Sequence, residues 1–340
     1  MLALDIFLLV VGLALLVKGA DWFVDGSAGI ARKCKISPLV IGLTIVAFGT
    51  SAPELAVSIT SAITHSSGMA LGNVLGSNIA NILLILGVSA LLHKLPVQKN
   101  SLVLDLPVLL LASALVIGLG LWGNALEWWD GLILLVVFTA YMTLLFVNAR
   151  KEQKRAKLLA CDGSQPAPAQ EETQEKQPKT KIGQWYARMK EKTWFLIVLT
   201  VIGLGMVVGG GTLLVNSAKA IARACGVSEP IIALTVVALG TSLPELVTSV
   251  MAAVKGSTDI AVGNVIGSNI FNIFAVAGIS SLIYPMEFTI DGMLVDSLVA
   301  FGAALLLFVF ALFKGHSLGR GAGAVFTLAF VGYYIYLFLG

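Results

Sequence analysis

Two glutamates, Glu54 and Glu245, lie inside strongly apolar stretches of the sequence, each directly after a proline. The phrases that contain them are nearly identical, GTSAPEL and GTSLPEL. An unpaired carboxylate at the centre of a bilayer is costly by several kcal/mol. The apolar parts of the central segments contain no Lys or Arg that could pair with these acids. Each glutamate must therefore be protonated or be compensated by a cation.

The proline and glycine of each phrase predict a break in a helix. Proline lacks a backbone N–H, and its ring clashes with the carbonyl four residues earlier. That carbonyl belongs to Gly49 for Pro53 and to Gly240 for Pro244. Carbonyls without helical partners are costly in hydrocarbon, so they must face protein, water or an ion. The carbonyls affected belong to Ala47, Phe48, Gly49 and Thr50 in the first copy and to Ala238, Leu239, Gly240 and Thr241 in the second.

A second repeated phrase follows each acid, GNVLGSNIANI in the first copy and GNVIGSNIFNI in the second. Ser77 and Asn81 are four residues apart, so they share one helical face and can offer a hydroxyl and an amide carbonyl to one pocket. Ser268 and Asn272 repeat this arrangement. The first phrases add the hydroxyls of Thr50, Ser51, Thr241 and Ser242. Hard oxygen ligands of this kind suit Ca²⁺ and, by the same logic, Na⁺.

Each feature alone also has a purely structural explanation. Small residues at this spacing commonly pack helices closely, and a membrane proline often only kinks a helix. Ser and Thr often bond to their own helix, and a single buried glutamate could be a protonated structural group. The combination of a kink, hydroxyls, an acid and a polar facing helix occurs twice, which favours a cation site.

Composition places these phrases in a membrane protein. Of 340 residues, 57% are hydrophobic and 12% are charged, and the mean hydropathy is +0.93. A soluble domain carries about 25% charged residues. Apolar runs of about 20 residues can cross a bilayer core, and unbroken runs predict helices and not barrel strands. Ten such segments are predicted, at 3–24, 39–64, 69–92, 102–123, 126–148, 194–215, 229–254, 260–283, 293–313 and 320–339.

The two halves of the chain are copies. An offset of 191 residues relates Glu54 to Glu245 and Asn81 to Asn272. Each half has five segments, so the second half must enter the membrane from the opposite face. Repeats of this kind are related by a two-fold axis in the membrane plane, with the site at the repeat interface. The sequence thus predicts an all-α membrane protein with ten transmembrane helices in two inverted five-helix repeats.

A polar segment at 149–192 separates the repeats, which we place at 1–148 and 193–340. Excess Lys and Arg mark cytoplasmic loops, which predicts a cytoplasmic linker and both termini outside the cell (inner) membrane. Cys34 and Cys225 then lie on opposite sides and cannot pair. The basic residues are spread over short loops and not gathered on one face, so nucleic acid is not an expected partner.

The phrases GTSAPE…GNVLGSNIANI and GTSLPE…GNVIGSNIFNI resemble the two alpha repeats of the sodium/calcium exchanger branch of the calcium/cation antiporters, in its prokaryotic type. The resemblance covers both motifs, at 44–87 and 235–278, and all ten segments in topology. It implies a secondary active transporter that exchanges Ca²⁺ for Na⁺ by alternating access and is electrogenic. We expect it to act as a monomer among membrane lipids, with inorganic cations as its partners and without a cofactor.

The resemblance also implies roles for individual residues. One central calcium site would use the carboxylates of Glu54 and Glu245 and the backbone carbonyls of Thr50 and Thr241. Flanking sodium sites would draw on Ala47, Ser51, Ser77, Asn81, Ala238, Ser242, Ser268 and Asn272. Many relatives carry an aspartate at the position of Asn272, so the site here has two acids instead of three and potassium cotransport is not expected. The first and sixth segments, rich in glycine, would slide across the core to switch access.

Other functions are compatible with the same residues. The acids could carry protons in a proton/calcium exchanger, or they could line a cation channel. An intramembrane protease would need Ser with His or Lys, or paired aspartates, at membrane depth. His65, His93 and His316 fall at predicted loops or segment ends, so we do not expect an enzyme.

Overall fold

In the computed structural model, the described residues are 2–161, 186, 188–225, 238–290, 292–313 and 315–339. They form an all-α protein with four strands of two residues each. Seven helices are long and apolar enough to cross a membrane, or eight if one bent pair counts as a single span. The chain is therefore an integral membrane protein. Most of the predicted linker, and the residues 226–237 in the seventh predicted segment, lie outside the described residues.

We number the helices in chain order. The first half contains α1 (Leu2–Cys34), α2 (Pro38–Thr50), α3 (Ala52–Ile63), α4 (67–92), α5 (Ser101–Gly123) and α6 (Trp128–Cys161). The second half contains α7 (Thr193–Ala224), α8 (Ala238–Gly240), α9 (Leu243–Val254), α10 (Thr258–Ile283), α11 (Met293–Phe313) and α12 (Arg320–Leu339). Helix α6 continues past the predicted segment end at 148, because the Arg, Lys, Glu and Ala residues there are good helix formers.

Helices α4 and α10 form the centre of the molecule. In the most apolar window of each helix, 78% of the residues of α4 and 94% of those of α10 are buried. The corresponding shares in α1 and α6 are 17%. Both central helices change to a π-helical stretch, at Ala80–Leu86 and Asn272–Ala277. Such stretches are frequent at functional sites, and these two contain Asn81 and Asn272.

Helices α1 and α7 form a long antiparallel pair held together at glycines. A Cβ added to Gly12 would lie 2.9 Å from the carbonyl oxygen of Gly210, and one added to Gly19 would lie 2.9 Å from that of Gly203. Only glycine allows the two backbones to come this close. The glycine-rich character of the first and sixth segments therefore has a direct packing role.

Two short strand pairs join the halves of the chain. Strand β1 (Leu95–Pro96) pairs with β4 (Ser317–Leu318), with Leu95 opposite Leu318. Strand β2 (Ala125–Leu126) pairs with β3 (Met286–Glu287), with Leu126 opposite Met286. Both pairings are antiparallel. Each half thus contributes one strand to each pair.

Candidate cation site

The phrase that contains Glu54 forms a sharp break between two helices. Helix α2 ends at Thr50 and α3 begins at Ala52, with an angle of 47° between them. Ser51 at the break has φ −82° and ψ 8°, outside regular helical geometry. Pro53 lies in the first turn of α3, where the missing N–H has no helical partner to lose. Pro53 is therefore compatible with the start of α3 and also prevents α2 from continuing.

The second copy has the same local form. Helix α8 ends at Gly240, α9 begins at Leu243, and Ser242 has φ −86° and ψ 4°. Pro244 lies in the first turn of α9. The residues before Ala238 are outside the described part of the chain, so the comparison with the first copy starts at α8.

The glycines of the two breaks face the α1–α7 pair. A Cβ on Gly49 would lie 2.9 Å from the side chain of Leu204, and a Cβ on Gly240 would lie 2.5 Å from that of Val215. Both breaks are therefore packed directly against α7. Glycine at these positions lets the two broken helices and the long pair approach one another.

The two acids meet at one buried site. Glu54 and Glu245 are both fully buried, at 0% exposure. Ser51 donates its hydroxyl to Oε1 of Glu245 at 2.9 Å, and Ser242 donates to Oε1 of Glu54 at 3.4 Å. The serine of each break thus bonds to the acid of the other break. This crossed arrangement places both carboxylates between α2–α3 and α8–α9, away from lipid.

Several buried oxygens of the predicted ligand residues have no hydrogen-bond partner among the described residues. They are Oε2 of Glu54, Oε2 of Glu245, Oγ1 of Thr241, Oγ of Ser77, Oδ1 of Asn81 and Oδ1 of Asn272. Buried polar atoms in proteins nearly always have a partner. Two carboxylates with hydroxyl and amide oxygens around them form a donor set that fits Ca²⁺ or Na⁺.

Ala47 and Ser268 connect the break of α2 to the central helix α10. The carbonyl of Ala47 accepts from the backbone N–H of Ser51 at 3.0 Å and from the hydroxyl of Ser268 at 3.5 Å. It also accepts from Thr50 Oγ1 at 3.3 Å. This carbonyl is therefore engaged with protein donors in this structure. For Ala238, the equivalent of Ala47, the structure describes only the backbone at the start of α8.

Two asparagines outside the predicted ligand set brace the helices after the breaks. Asn73 donates to the backbone carbonyl of Glu54 at 3.2 Å and to Ser58 Oγ at 2.9 Å. In the second copy, Asn264 donates to Ser249 Oγ at 2.9 Å and accepts from Thr50 Oγ1 at 3.1 Å. Sequence reasoning assigned these side chains no role in the site. Their signal was present, because Asn73 and Asn264, like Ser58 and Ser249, repeat at the offset of 191 residues.

Comparisons with known proteins identify the family of the chain. Residues 4–147 and 195–339 match the family model described as sodium/calcium exchanger protein. The sodium/calcium exchanger MaX1 of Methanosarcina acetivorans is 33% identical over 361 residues, covering 99% of each chain. An uncharacterized membrane protein of Methanocaldococcus jannaschii is 36% identical over 335 residues, covering 97% of each chain.

The fold is also similar to a solved exchanger. A structure of the sodium-calcium exchanger NCX_Mj, soaked with 2.5 mM Na⁺ and 0.1 mM Ca²⁺, has a TM-score of 0.80 and 33% sequence identity to this chain. The match covers 100% of this chain and 99% of that chain. The chain therefore belongs to the sodium/calcium exchanger family of membrane ion exchangers.

Proposed function

We propose that this protein exchanges Ca²⁺ for Na⁺ across the cell membrane by alternating access at the site between the two breaks. One observation carries the proposal, which is the crossed bonding of Ser51 to Glu245 and of Ser242 to Glu54. It brings two fully buried carboxylates into one site, and each keeps one oxygen without a hydrogen-bond partner among the described residues. Such a donor set suits the binding of inorganic cations.

The electrostatics of this pair explain why occupied and empty sites would behave differently. Two carboxylates balance the charge of one Ca²⁺. Without a cation, two like charges would lie in a low-dielectric interior, which is unfavourable. A bound cation removes this penalty, so occupied states switch access more readily and leak is suppressed. Replacement of one Ca²⁺ by three Na⁺ would move net charge in each cycle and make transport respond to voltage.

We assign the proposed ligands by position around the acids. The central calcium site uses Glu54 and Glu245 with the backbone carbonyls of Thr50 and Thr241. The flanking sodium sites use Ser51, Ser77, Asn81, Ser242, Ser268 and Asn272, with the carbonyls of Ala47 and Ala238. The unpartnered side-chain oxygens of Ser77, Asn81 and Asn272 support the assignment of these three residues. Ala47 would have to exchange its protein donors for an ion during the cycle.

The proposed architecture is ten helices in two inverted five-helix repeats, 1–148 and 193–340, joined by the cytoplasmic linker 149–192. The strand pairing supports it, because exchanging the halves maps the β1–β4 pair onto the β3–β2 pair. Helix α12, with 20 residues, is long enough to be the tenth span. Helix α9 supplies part of the seventh span. We place both termini outside, and we expect a monomer to be sufficient because each chain contains both acids.

Helices α1 and α7 cover the two breaks unequally. Leu243 and Val247 of α9 pack on a cluster formed by Leu16, Ala20 and Val207 of the α1–α7 pair. The equivalent positions of α3 are exposed, namely Ala52 and Ala56. In the proposed orientation α3 leads to the outer surface and α9 leads to the inner surface. The side of the site beside α9 is thus closed by the α1–α7 pair, and in the proposed orientation this side faces the cytoplasm.

An ion-pair cluster strengthens the closed side. Lys255, directly after α9, contacts Asp25 of α1 at 2.7 Å and also pairs with Asp21. Lys190, ahead of α7, contacts Asp25 at 2.8 Å. The position equivalent to Lys255 in the first half is Thr64, which cannot form such pairs. Movement of α1 and α7 away from α9 would break this cluster.

The site is tested by measuring ⁴⁵Ca uptake driven by a sodium gradient in proteoliposomes. Glu54→Gln and Glu245→Gln should each reduce uptake to the level of empty vesicles, because one charge cannot balance Ca²⁺. Glu287→Gln is the matched control, since Glu287 is exposed on β3, and it should keep the parent rate. Full activity in either site variant would reject the role of that glutamate.

The same vesicles separate the neighbouring functions. A proton/calcium exchanger would take up ⁴⁵Ca with a pH gradient in the absence of Na⁺. A channel would pass current without any counter-ion gradient. We expect neither, and uptake that follows only the sodium gradient would distinguish sodium/calcium exchange from both.

A further inference from the structure

Asn78 belongs to neither the acid phrases nor the proposed ligand set, yet it connects the two central helices. It lies in α4 and is buried, with 2% exposure. Its amide nitrogen donates to the backbone carbonyl of Asn269 in α10 at 3.3 Å. Its amide oxygen accepts from the side-chain nitrogen of Asn272 at 3.2 Å. Asn78 therefore lies between a fixed backbone group and a proposed sodium ligand.

These contacts determine how the amide of Asn272 is oriented. A backbone carbonyl can only accept, so the NH₂ group of Asn78 must face Asn269. The oxygen of Asn78 must then face Asn272, and an oxygen there requires the NH₂ group of Asn272. The oxygen of Asn272 is left on the opposite side. It is buried and has no hydrogen-bond partner among the described residues.

Asn272 lies on the face of α10 that carries Ser268. These residues are four apart and so share a helical face, and the hydroxyl of Ser268 reaches the carbonyl of Ala47 at the break of α2. We propose that Asn78 is a positioning residue that holds the amide of Asn272 with its oxygen towards the cation site. Position 272 then acts as a neutral oxygen ligand for a monovalent cation. The inference rests on the proposed function of this site.

The first copy lacks this restraint. Asn269 is the equivalent of Asn78, but its amide nitrogen donates to the carbonyl of Val265 in its own helix at 2.7 Å. Both amide atoms of Asn81, the equivalent of Asn272, are without a partner among the described residues. Asn78 and Asn269 are equivalent residues in contact with each other, so only one of them makes the cross-helix bond. The restraint therefore acts on one proposed sodium ligand and not on its counterpart.

Loss of Asn78 should act on sodium more than on calcium. Without the acceptor at 78, the NH₂ group of Asn272 is buried without a partner, so the amide can turn and present its nitrogen to the cation. For Asn78→Ala we expect the Na⁺ concentration at half-saturation to rise about tenfold, which is equivalent to about 1.4 kcal/mol of binding free energy. Calcium half-saturation measured without Na⁺ should change less than twofold, because the proposed calcium ligands do not include Asn272.

Three variants and a double-mutant cycle test this role in the purified full-length protein. Sodium and calcium half-saturation are measured from the cation-dependent rise of the melting temperature, which needs no transport. Asn269→Ala is the matched control and should change sodium half-saturation less than twofold. In an Asn272→Ala background, Asn78→Ala should have no further effect, because a positioning residue acts through the residue it positions. If Asn78→Ala does not fold, Asn78→Leu fills a similar space without an acceptor, and it should show the same loss.

The outcomes are distinct. Equal weakening of sodium and calcium, an equal effect of Asn269→Ala, or additive effects with Asn272→Ala would each overturn the role of Asn78. A parent protein that binds Na⁺ in this way but shows no sodium-driven calcium flux would refute the proposed function and leave the positioning role standing.

Discussion

The lysine that follows α9 offers a direct test of how the closed side is held. Lys255→Met removes the charge that pairs with Asp21 and Asp25 and keeps a side chain of similar length. The side chains of the three residues are 24%, 26% and 21% exposed, respectively. Exposed ion pairs contribute about 0–1 kcal/mol, and breaking a fully buried pair costs about 3–5 kcal/mol.

The expected magnitude lies between these limits. The cluster is partly screened by solvent, and Asp21 and Asp25 keep Lys18 and Lys190 as partners after the substitution. We therefore expect the state that packs α1 and α7 on α9 to lose about 1–2 kcal/mol relative to the alternative state. This corresponds to a shift of about 5–30-fold in the equilibrium between the two access states.

A cysteine on the covered face of α9 reports this equilibrium. Val247 packs on the α1–α7 pair and is partly buried, so a thiol at Val247→Cys reacts faster when the pair moves away. Its rate of reaction with a maleimide then rises with the population of the minor state, and Lys255→Met should raise it by up to the same factor of about 5–30. The background must lack the native cysteines, because Cys34 and Cys225 are exposed.

The controls decide whether the ion pairs are the cause. Lys99→Met removes a charge from an exposed residue just ahead of α5, and it should leave the reaction rate of Val247→Cys unchanged. High salt should raise the rate in the parent more than in Lys255→Met, since salt screens partly exposed pairs. An unchanged rate in Lys255→Met, or the same rise in Lys99→Met, would contradict the argument.

Two further substitutions test the packing and the bracing of the site. Gly203→Ala places a Cβ 2.5 Å from a backbone nitrogen of α1, so we expect a loss of about 1–3 kcal/mol of stability in thermal unfolding. Gly205→Ala, with no atom within 4 Å of the added carbon, should have no effect, and equal effects would contradict the packing. Asn73→Ala removes the bond to the carbonyl of Glu54 and should weaken calcium half-saturation about fivefold, for a bond of about 1 kcal/mol. Asn100 is exposed, so Asn100→Ala should leave calcium half-saturation unchanged. Calcium affinity equal to that of the parent in Asn73→Ala would rule out a bracing role for Asn73.

The two helix breaks were predictable because the repeated phrases contain a proline and a glycine at the same positions. Two phrases at a constant offset predicted helix breaks beside Glu54 and Glu245, and the structure has breaks at both positions. The crossed bonds from Ser51 and Ser242 were not predicted. These bonds depend on how the two breaks face each other in the folded protein. The repeat in the sequence does not specify this orientation. The membrane class and the family were confirmed, since both follow from long apolar runs and the repeated phrases.

The differences between the copies could not be predicted from the repeated phrases. Asn78 and Asn269 stand in the same sequence, GSN, yet one bonds across the helix crossing and the other bonds to its own helix. Asn78 and Asn269 contact each other, so both side chains cannot make the same cross-helix bond. The pairing of Lys255 with Asp25 has a different cause. It joins residues 230 positions apart, through a contact that exists only after α1 has packed on α9.

The acids are equivalent in the two halves, but the surfaces that cover them are not. In a carrier, these two features would act differently on the relative energies of the access states. The acids and their serines are the same in both halves, so this part of the site favours neither side. The covering faces differ, since Leu243 and Val247 of α9 replace Ala52 and Ala56 of α3. Water entering beside α9 would wet larger apolar side chains than water entering beside α3, at about 25 cal/mol for each Å² exposed. In the proposed cycle, the two access states would therefore differ in energy through their covering faces, even where the ion ligands are equivalent.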